Sequence, residues 1–447
     1  MLKLFLWLRY LHKKKIVFLS IAAVAVSVSL LIVVASLFSG FIDAFEHGFV
    51  EALGDVVINP PVAIANYDKL IENLEQTSQV KGATALIWGY GLLLVDKGNV
   101  RTVQILGIEP QRWSKVTNFD QFLLSNESSS GAPPNNVTAS SDDIQGYVGI
   151  GLLTKPDEKT DEYNIAEAEK KIGERVILTT GVTSGNSSGN SLANFERRVV
   201  RFTISDVAET GFYLFDNENV YLPIEQLSKV MYPNRELPVA QQIQIRLADD
   251  ADPEAALAVI NGVWQNFVKD YYNSNQELSY RTNIATSLQM QSKWIAVYQQ
   301  QMNVLLVIFG IVSFGVVLLI FCIFSLIVRL KQKDIAVIKS CGTTSTSVAW
   351  IFVGFGACVG IVGSGIGIIF GYIITKNINT IEEWIRIIFG LKLWKSSVYL
   401  FTKIPNQVDW HLAMEVVLFA IAASAIGAVI PAIIAAMTKP VEILRYE

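Results

Sequence analysis

Charge is what this sequence has least of. Only 17% of its 447 residues are Asp, Glu, Lys or Arg, against 51% hydrophobic, and mean hydropathy is +0.38. A soluble domain carries nearer a quarter charged residues, so the apolar excess must be gathered into blocks. Cysteine is scarce as well: Cys322, Cys341 and Cys358 all lie in or beside those blocks, which leaves the large polar middle without a disulfide. The three histidines, His12, His47 and His411, are scattered, and no zinc-like spacing exists. No Gly-rich loop ending in Gly-Lys-Ser/Thr occurs, which excludes a Walker-type ATP site, and the one G-x-S-x-G match, Gly185–Gly189, falls in the Ser-, Gly- and Asn-rich stretch 181–191 and does not read as a strand-to-helix nucleophile elbow. Paired carboxylates such as Asp142–Asp143 and Asp249–Asp250 sit in loop-like sequence and read as solvated. No catalytic residue, metal or cofactor is assigned to this chain, and no nucleic-acid partner is expected.

What is present is four runs suited to lipid. A membrane helix needs about 20 mostly apolar residues, because the hydrocarbon is about 30 Å thick and each residue rises about 1.5 Å. The runs are Ile16–Phe38, Ile295–Val328, Ser340–Thr375 and Val416–Thr438. The first is longer than a signal-peptide core, and no small-residue cleavage site follows in "SGFIDAFE".

Basic residues close to the spans set the orientation. The segments 1–15, 329–347 and 439–447 together carry 11 basic and 3 acidic residues, whereas Asp43–Lys293 carries 20 and 33. Both termini and the 329–347 link are therefore expected in the cytoplasm, and the acidic block outside. The fold class is an α-helical membrane protein with four transmembrane helices and a large α+β extracytoplasmic domain inserted between helices 1 and 2. Its parts are a cytoplasmic segment (1–15), a first span (16–42), the outer domain (43–293), and a stalk with the second span (294–328). A cytoplasmic link (329–347), third span (348–375), outer loop (376–411), fourth span (412–438) and tail (439–447) complete it.

The second run exceeds its membrane. Its 34 uncharged residues would form a helix of about 51 Å. The early part, "YQQQMNV", is polar without charge and reads as a helical stalk. The third run is glycine-rich, with Gly356/Gly360, Gly363/Gly367 and Gly367/Gly371 each four apart, the spacing that lets helix backbones approach. Close packing against another span or a second subunit is expected there.

In the outer block, short β-rich runs ("GDVVIN", "RRVVRFTISDV", "QQIQIRLA") alternate with helical ones ("YDKLIENLEQ", "DPEAALAVINGVWQNFVKDYY"), a mixture that reads as α+β. Ser125–Asp143 and Gly181–Ser191 are rich in Ser, Gly and Asn and read as mobile loops. "ALIWGYGLLLV" (Ala85–Val95) reads as a buried strand, with a lipid-receiving surface as the alternative.

Between the second and third runs lies a short charged wedge, "RLKQKDIAVIKSCG". It reads as helical from Lys333 to about Ser340. Ile335 and Ile338 share a face, Lys331, Lys333 and Lys339 supply solvated positions, and Gly342 ends the helix. Taken alone, it is either an inert basic hairpin at anionic headgroups or a docking helix that takes a push from a cytoplasmic partner.

"KQKDIAVIKSCG" resembles the coupling segment of type VII ABC permeases, the MacB/FtsX-like group, which runs basic-x-x-acidic-Ile-x-x-Leu/Ile-x-x-x-Gly. Lys331 or Lys333, Asp334, Ile335, Ile338 and Gly342 take the matching positions, with Asp334 where Glu is commoner. "LRYLHKKKIVFLSIAAVAVSVSLLIVVASLFSGF" is similar to the first span of lipoprotein-releasing permeases of the LolC/LolE type, with Ser39 in place of their Asn before Gly40 and Phe41. The loop "FGLKLWKSSVYLFTKIP" and the tail "KPVEILRYE" resemble that subgroup too, whereas the outer domain matches weakly. The resemblance implies a permease subunit that pairs with a second such subunit, identical or not, on a cytoplasmic ABC ATPase dimer holding the ATP and magnesium. Lipoprotein cargo lodged between the first and second spans would be lifted toward a periplasmic carrier. The rival readings are a MacB-like exporter of peptides or small molecules, an FtsX-like signalling subunit acting on wall hydrolases, and a membrane-tethered enzyme, for which no constellation is found.

Overall fold

A computed structural model describes residues 15–96, 98–125, 144–157, 160–184, 194–273, 275–399, 401 and 403–438. The Ser125–Asp143 loop, apart from Ser125, the Gly181–Ser191 loop beyond Ser184, and the tail "KPVEILRYE" lie outside them. In chain order come helix α1 (Lys15–Leu53), β1 (Val56–Asn59), β2 (Ile64–Ala65), α2 (Tyr67–Glu75), β3 (Val80–Asp96), β4 (Asn99–Ile108) and β5 (Ile144–Gly149). There follow β6 (Arg175–Ser184), β7 (Asn194–Ala208), β8 (Asn219–Pro223), β9 (Val239–Ala240), β10 (Gln242–Leu247), α3 (Pro253–Tyr271) and β11 (Asn283–Thr286). The remaining long elements are helices: α4 (Ser287–Leu330), α5 (Gln332–Ser340), α6 (Ser345–Lys376), α7 (Ile378–Phe389) and α8 (Trp410–Met437). Short helical turns fill several connections.

Two compact units emerge. One is a helix bundle, built from α1 as far as Ala44, Ile295–Trp384, and the chain from Ile404 through α8. The other holds every strand, in Phe45–Trp294, together with Ile385–Lys403.

In the sheet unit, nine strands run in the order β11-β1-β10-β3-β4-β8-β5-β7-β6, and β6 also pairs with β3. The last six strands therefore close on themselves. The 17-residue β3 belongs to both parts: Val80–Leu86 pairs with β10, and Gly91–Leu94 with β6. A Cβ at Gly91 would sit 2.7 Å from the Thr179 carbonyl oxygen, so the crossing from one part to the other needs glycine there. Helix α3 begins with an Asp252 cap whose side chain accepts from the Glu254 amide, and Pro253 follows at the first helical position. Its Ile260, Trp264 and Phe267 and the Leu70, Ile71 and Leu74 of α2 enter the same buried cluster as Ile58, Ala85 and Ile243 from the sheet. The strand "ALIWGYGLLLV" is only half of what burial alone predicts: Ala85–Ile87 are buried, but Trp88, Tyr90 and Leu92 are exposed along one face.

Helices α1, α4, α6 and α8 are each long and apolar enough to cross a membrane. The first does not stop near residue 42 but continues to Leu53, and the 44 residues of α4 make a rod of about 66 Å, roughly twice the hydrocarbon thickness. The glycines of α6 divide between two neighbours. A Cβ at Gly356 would lie 2.5 Å from Ala428 Cβ, and one at Gly360 would lie 3.0 Å from Ile421 Cα, both on α8. Built at Gly363 and Gly367 it would lie 2.8 Å from Val24 and Val28, and at Gly371 3.1 Å from Ile32, all on α1. All five are used within this chain, letting α6 sit in van der Waals contact with two helices at once.

The 376–411 segment is more ordered than a simple loop. It contains α7, and its Ile385–Lys403 part belongs to the sheet unit. Lys392 Nζ donates to the Thr160 carbonyl and lies 3.9 Å from Asp161 Oδ2, which also accepts from the Ser396 amide at 2.7 Å. The Phe401 ring meets Phe212 edge-on at 5.0 Å.

Candidate functional site

Helix α5 follows α4 with only Lys331 between them. Lys331 N-caps it and pairs its ammonium with Asp334 in the first turn, an arrangement that suits the positive helix N-terminus through the carboxylate. Ile335 and Ala336 are buried, and Ile335 joins the bundle core with Val17, Phe324 and Val348. Ile338 is half-buried beside them, so the shared apolar face predicted from the spacing is the docked face.

Lys339 departs from expectation. Instead of a solvated position, its Nζ donates to the carbonyls of Ala436 and Thr438, at 2.7 and 2.9 Å. These carbonyls end α8, where backbone acceptors have no partner in their own helix and the dipole favours a cation. The far end of α5 is thus tied to α8. Gly342, at φ +89°, turns the chain, its amide donates to the Lys339 carbonyl at 3.0 Å, and Thr344 caps α6 by accepting from the Ser347 amide. Lys333, Asp334 and Val337 remain exposed on the outer side. The arrangement is a short helix held to the bundle by its core face and by one end, with a mixed charged and apolar face exposed.

A small apolar crevice of about 30 Å³ lies between α1, α4 and α8. Val24, Val28 and Leu31 line it from α1, Val316 and Ile320 from α4, and Phe419 from α8, with the hydroxyls of Ser27, Ser313 and Ser424 its polar atoms. The lining is apolar, but the space is far below the roughly 300–1,000 Å³ of a ligand cavity. From Ala296 to Leu319 no residue of α4 is buried, so one wall of the groove is held by a helix with few neighbours.

In the sheet unit the buried carboxylate of Asp216 accepts from the Thr210 amide (2.7 Å), Thr210 Oγ1 (2.8 Å) and the Gly211 amide (3.1 Å), shaping the turn that presents Phe212. Burial pushes its pKa up to about 7. The role is structural: the acceptor is used up by its own turn. Asp249, from one of the pairs noted in the sequence, is exposed and accepts from Lys81; Asp142 and Asp143 lie outside the described residues.

Sequence reasoning placed α5 but missed two features of the site. The carbonyls that hold Lys339 lie almost a hundred residues away, and no pattern marks them. The groove serines looked like ordinary small residues in apolar runs, although Ser27 and Val24, Val28 and Leu31 do recur at helical spacing.

Two family models match the chain: a MacB-like periplasmic core domain over residues 17–263, and an FtsX-like permease C-terminal domain over residues 306–436. The chain is 26% identical over 457 residues to the lipoprotein-releasing system transmembrane protein LolC of Xylella fastidiosa, covering 98% of each. It is 23% identical to the lipoprotein-releasing system transmembrane protein LolE of Haemophilus influenzae, covering 95% of this chain and 93% of that one. Among solved structures, the periplasmic region of MacB from Actinobacillus actinomycetemcomitans aligns at 14% identity and a TM-score of 0.31, covering 55% of this chain and 94% of that one.

Proposed function

We propose that this chain, which belongs to the family of the MacB-like periplasmic core domain, is a permease subunit of an ABC transporter that releases lipoproteins from the outer leaflet of the bacterial inner membrane toward the outer membrane. The names of its full-length relatives support this reading over export of peptides and over signalling to wall hydrolases. In it, α1, α4, α6 and α8 span the membrane, both termini are cytoplasmic, and the sheet unit stands in the periplasm between the first and second spans. ATP and magnesium bind in a separate ATPase dimer, which rests on the exposed face of α5 around Lys333, Asp334 and Val337. A second permease subunit, identical or different, covers the bare faces of α4.

The cargo lodges between α1 and α4, whose facing side chains are mostly apolar. Acyl chains cannot leave lipid unaided at a useful rate, since each buried CH₂ contributes about 0.8 kcal/mol. ATP hydrolysis supplies the work. Closure of the ATPases pushes α5; α4 and α1 both continue from the bundle into the sheet unit without a break in the helix, so a displacement at one end is felt at the other. No channel is needed, and a periplasmic carrier receives the product.

The observation that carries the reading is the mounting of α5: docked by Ile335 and Ala336, tied by Lys339, and solvent-exposed at Lys333, Asp334 and Val337. The test is reconstitution in nanodiscs with the ATPase partner and a lipoprotein. Asp334→Ala and Ile338→Asp should leave membrane insertion intact and abolish release while hydrolysis continues. Release at the unmodified rate from both variants would refute the coupling role.

A further inference from the structure

The feature that the proposed function leaves unused is α7. Its twelve residues begin with only Asn377 between them and the end of α6, and none of them is buried. Ile378, Ile381, Ile385 and Ile388 recur at helical spacing with Trp384 beside them, while Asn379, Glu382, Glu383 and Arg386 fall on the opposite side. Trp384, Ile387, Ile388 and Phe389 are 65–71% exposed, and Leu391 and Leu393 just beyond the helix are equally bare. In water this would be an apolar patch with nothing over it.

The level at which α7 starts identifies what covers it. At the end of α6, the Tyr372 ring stacks on Trp410 at the start of α8 (centroids 5.9 Å apart), and Lys376 Nζ lies 5.7 Å over Tyr372. Paired aromatics and a lysine at the ends of two spans mark a headgroup boundary. The exposed Ile369, Phe370 and Ile373 of α6 face lipid up to that boundary. Asn379 then holds the first turn of α7 to the returning chain with two hydrogen bonds, Nδ2 to the Ile404 carbonyl and the Ile404 amide to Oδ1, each 3.0 Å. The start of α7 is thereby kept at the boundary.

We infer that α7 lies in the plane of the outer leaflet, with Trp384 and the isoleucine face inserted among phospholipid headgroups and upper acyl chains, and with Glu383 and Arg386 toward water. The occupant of the bare face is phospholipid. This rests only on α6 and α8 crossing the membrane, not on the cargo. The consequence is a fixed wedge of apolar side chains in the leaflet beside the bundle, which anchors the 376–411 segment at the depth where α6 ends.

The test uses the full chain in nanodiscs of phosphatidylethanolamine and phosphatidylglycerol, with acyl chains brominated near the glycerol or near the methyl end. Tryptophan emission is recorded for the unmodified protein, for Trp384→Phe, and for Trp350→Phe, which removes an exposed tryptophan of α6. The component lost in Trp384→Phe should be blue-shifted, quenched more by bromines near the glycerol, and insensitive to aqueous iodide. A Trp384 component quenched by iodide and not by bromolipid would place the face in water and overturn the inference. Insensitivity to both would show a protein covering it, which overturns it equally. Lipid quenching of the Trp350 component in the same discs shows that the spans are embedded, so a failure of α7 is distinguishable from a failure of the membrane reading.

Discussion

Gly367 and Gly365 lie two residues apart on α6, and the same substitution should move stability in opposite directions. At Gly367 a Cβ would meet Val28 Cβ and Cγ1 at 2.8 Å and the Ala25 carbonyl oxygen at 2.9 Å. Reaching an ordinary 3.4 Å contact requires α1 to withdraw by 0.6 Å, and one of the obstacles is backbone that cannot rotate away. Overpacking of this kind costs about 1–3 kcal/mol, and the withdrawal loosens the neighbouring contacts at Gly363 and Gly371. At Gly365 nothing lies within 4 Å, so alanine there only removes backbone freedom and gains up to about 1 kcal/mol of helix propensity. The two alanine variants should therefore differ by about 1–4 kcal/mol. Thermal unfolding in detergent, followed by intrinsic fluorescence, reads the gap, since each kcal/mol shifts Tm by about 2–4 °C in a unit of this size. Gly367→Ala should melt below the unmodified protein and Gly365→Ala at or above it. Equal shifts for the two would refute the packing of α6 against α1.

Three further outcomes follow from the geometry. Lys339→Met removes two charge-assisted hydrogen bonds worth about 1.5–3 kcal/mol, so hydrogen exchange of the α5 amides should accelerate about tenfold or more, with Lys339→Arg intermediate; unaltered exchange would show that the tie to α8 carries no weight. Asp216 has a folded pKa of about 7, above its ordinary value of 3.8, so its contribution is fully present below about pH 4 and is lost as pH rises through 7. Denaturant unfolding of the sheet unit should show up to about 4 kcal/mol of that loss between pH 4 and 8 in the unmodified chain relative to Asp216→Asn, and the opposite slope would contradict it. Asp161→Ala takes the acceptor from the Ser396 amide and the partner from Lys392, a loss of about 1–3 kcal/mol, and limited proteolysis should then cut within 385–403 sooner than within α3.

The helix bundle was legible in the sequence because lipid imposes one rule everywhere. Every residue between Ile295 and Val328 must avoid charge, so the run announces itself, whatever its neighbours. Glycines four apart point to close helix contact, although not to which helix, and it is the register of Val24, Val28 and Ile32 against Gly363, Gly367 and Gly371 that settles it. The wedge helix was legible for the opposite reason: Lys331, Asp334 and Lys339 between two lipid-suited runs need an explanation, and Gly342 marks its end. The role given to Lys339 was wrong, because a lysine in a short charged helix looks solvated until the carbonyls at Ala436 and Thr438 are brought beside it by the packing of α6 on α8.

The outer part was harder to read, since water and a shared core leave each strand several choices. β3 reads as one apolar run, yet pairs with β10 over its first half and with β4 and β6 over its second, and it exposes Trp88, Tyr90 and Leu92 where the core ends. A long strand that serves two sheets has no local signature; only Gly91, needed where Thr179 crosses, hints at it. The 376–411 segment failed to stand out because its information is divided. Ile378, Ile381, Ile385 and Ile388 do carry a helical period, but a twelve-residue run with two glutamates and an arginine is too short and too charged to be a span. Lys392 and Ser396 acquire meaning only through Asp161, some 230 residues earlier, whose positive φ of 57° turns its carboxylate into their path. What a short connecting segment does is decided by where it is held: Asn379 joins its start to its return at Ile404, and between those points Asp161 accepts from the Ser396 amide.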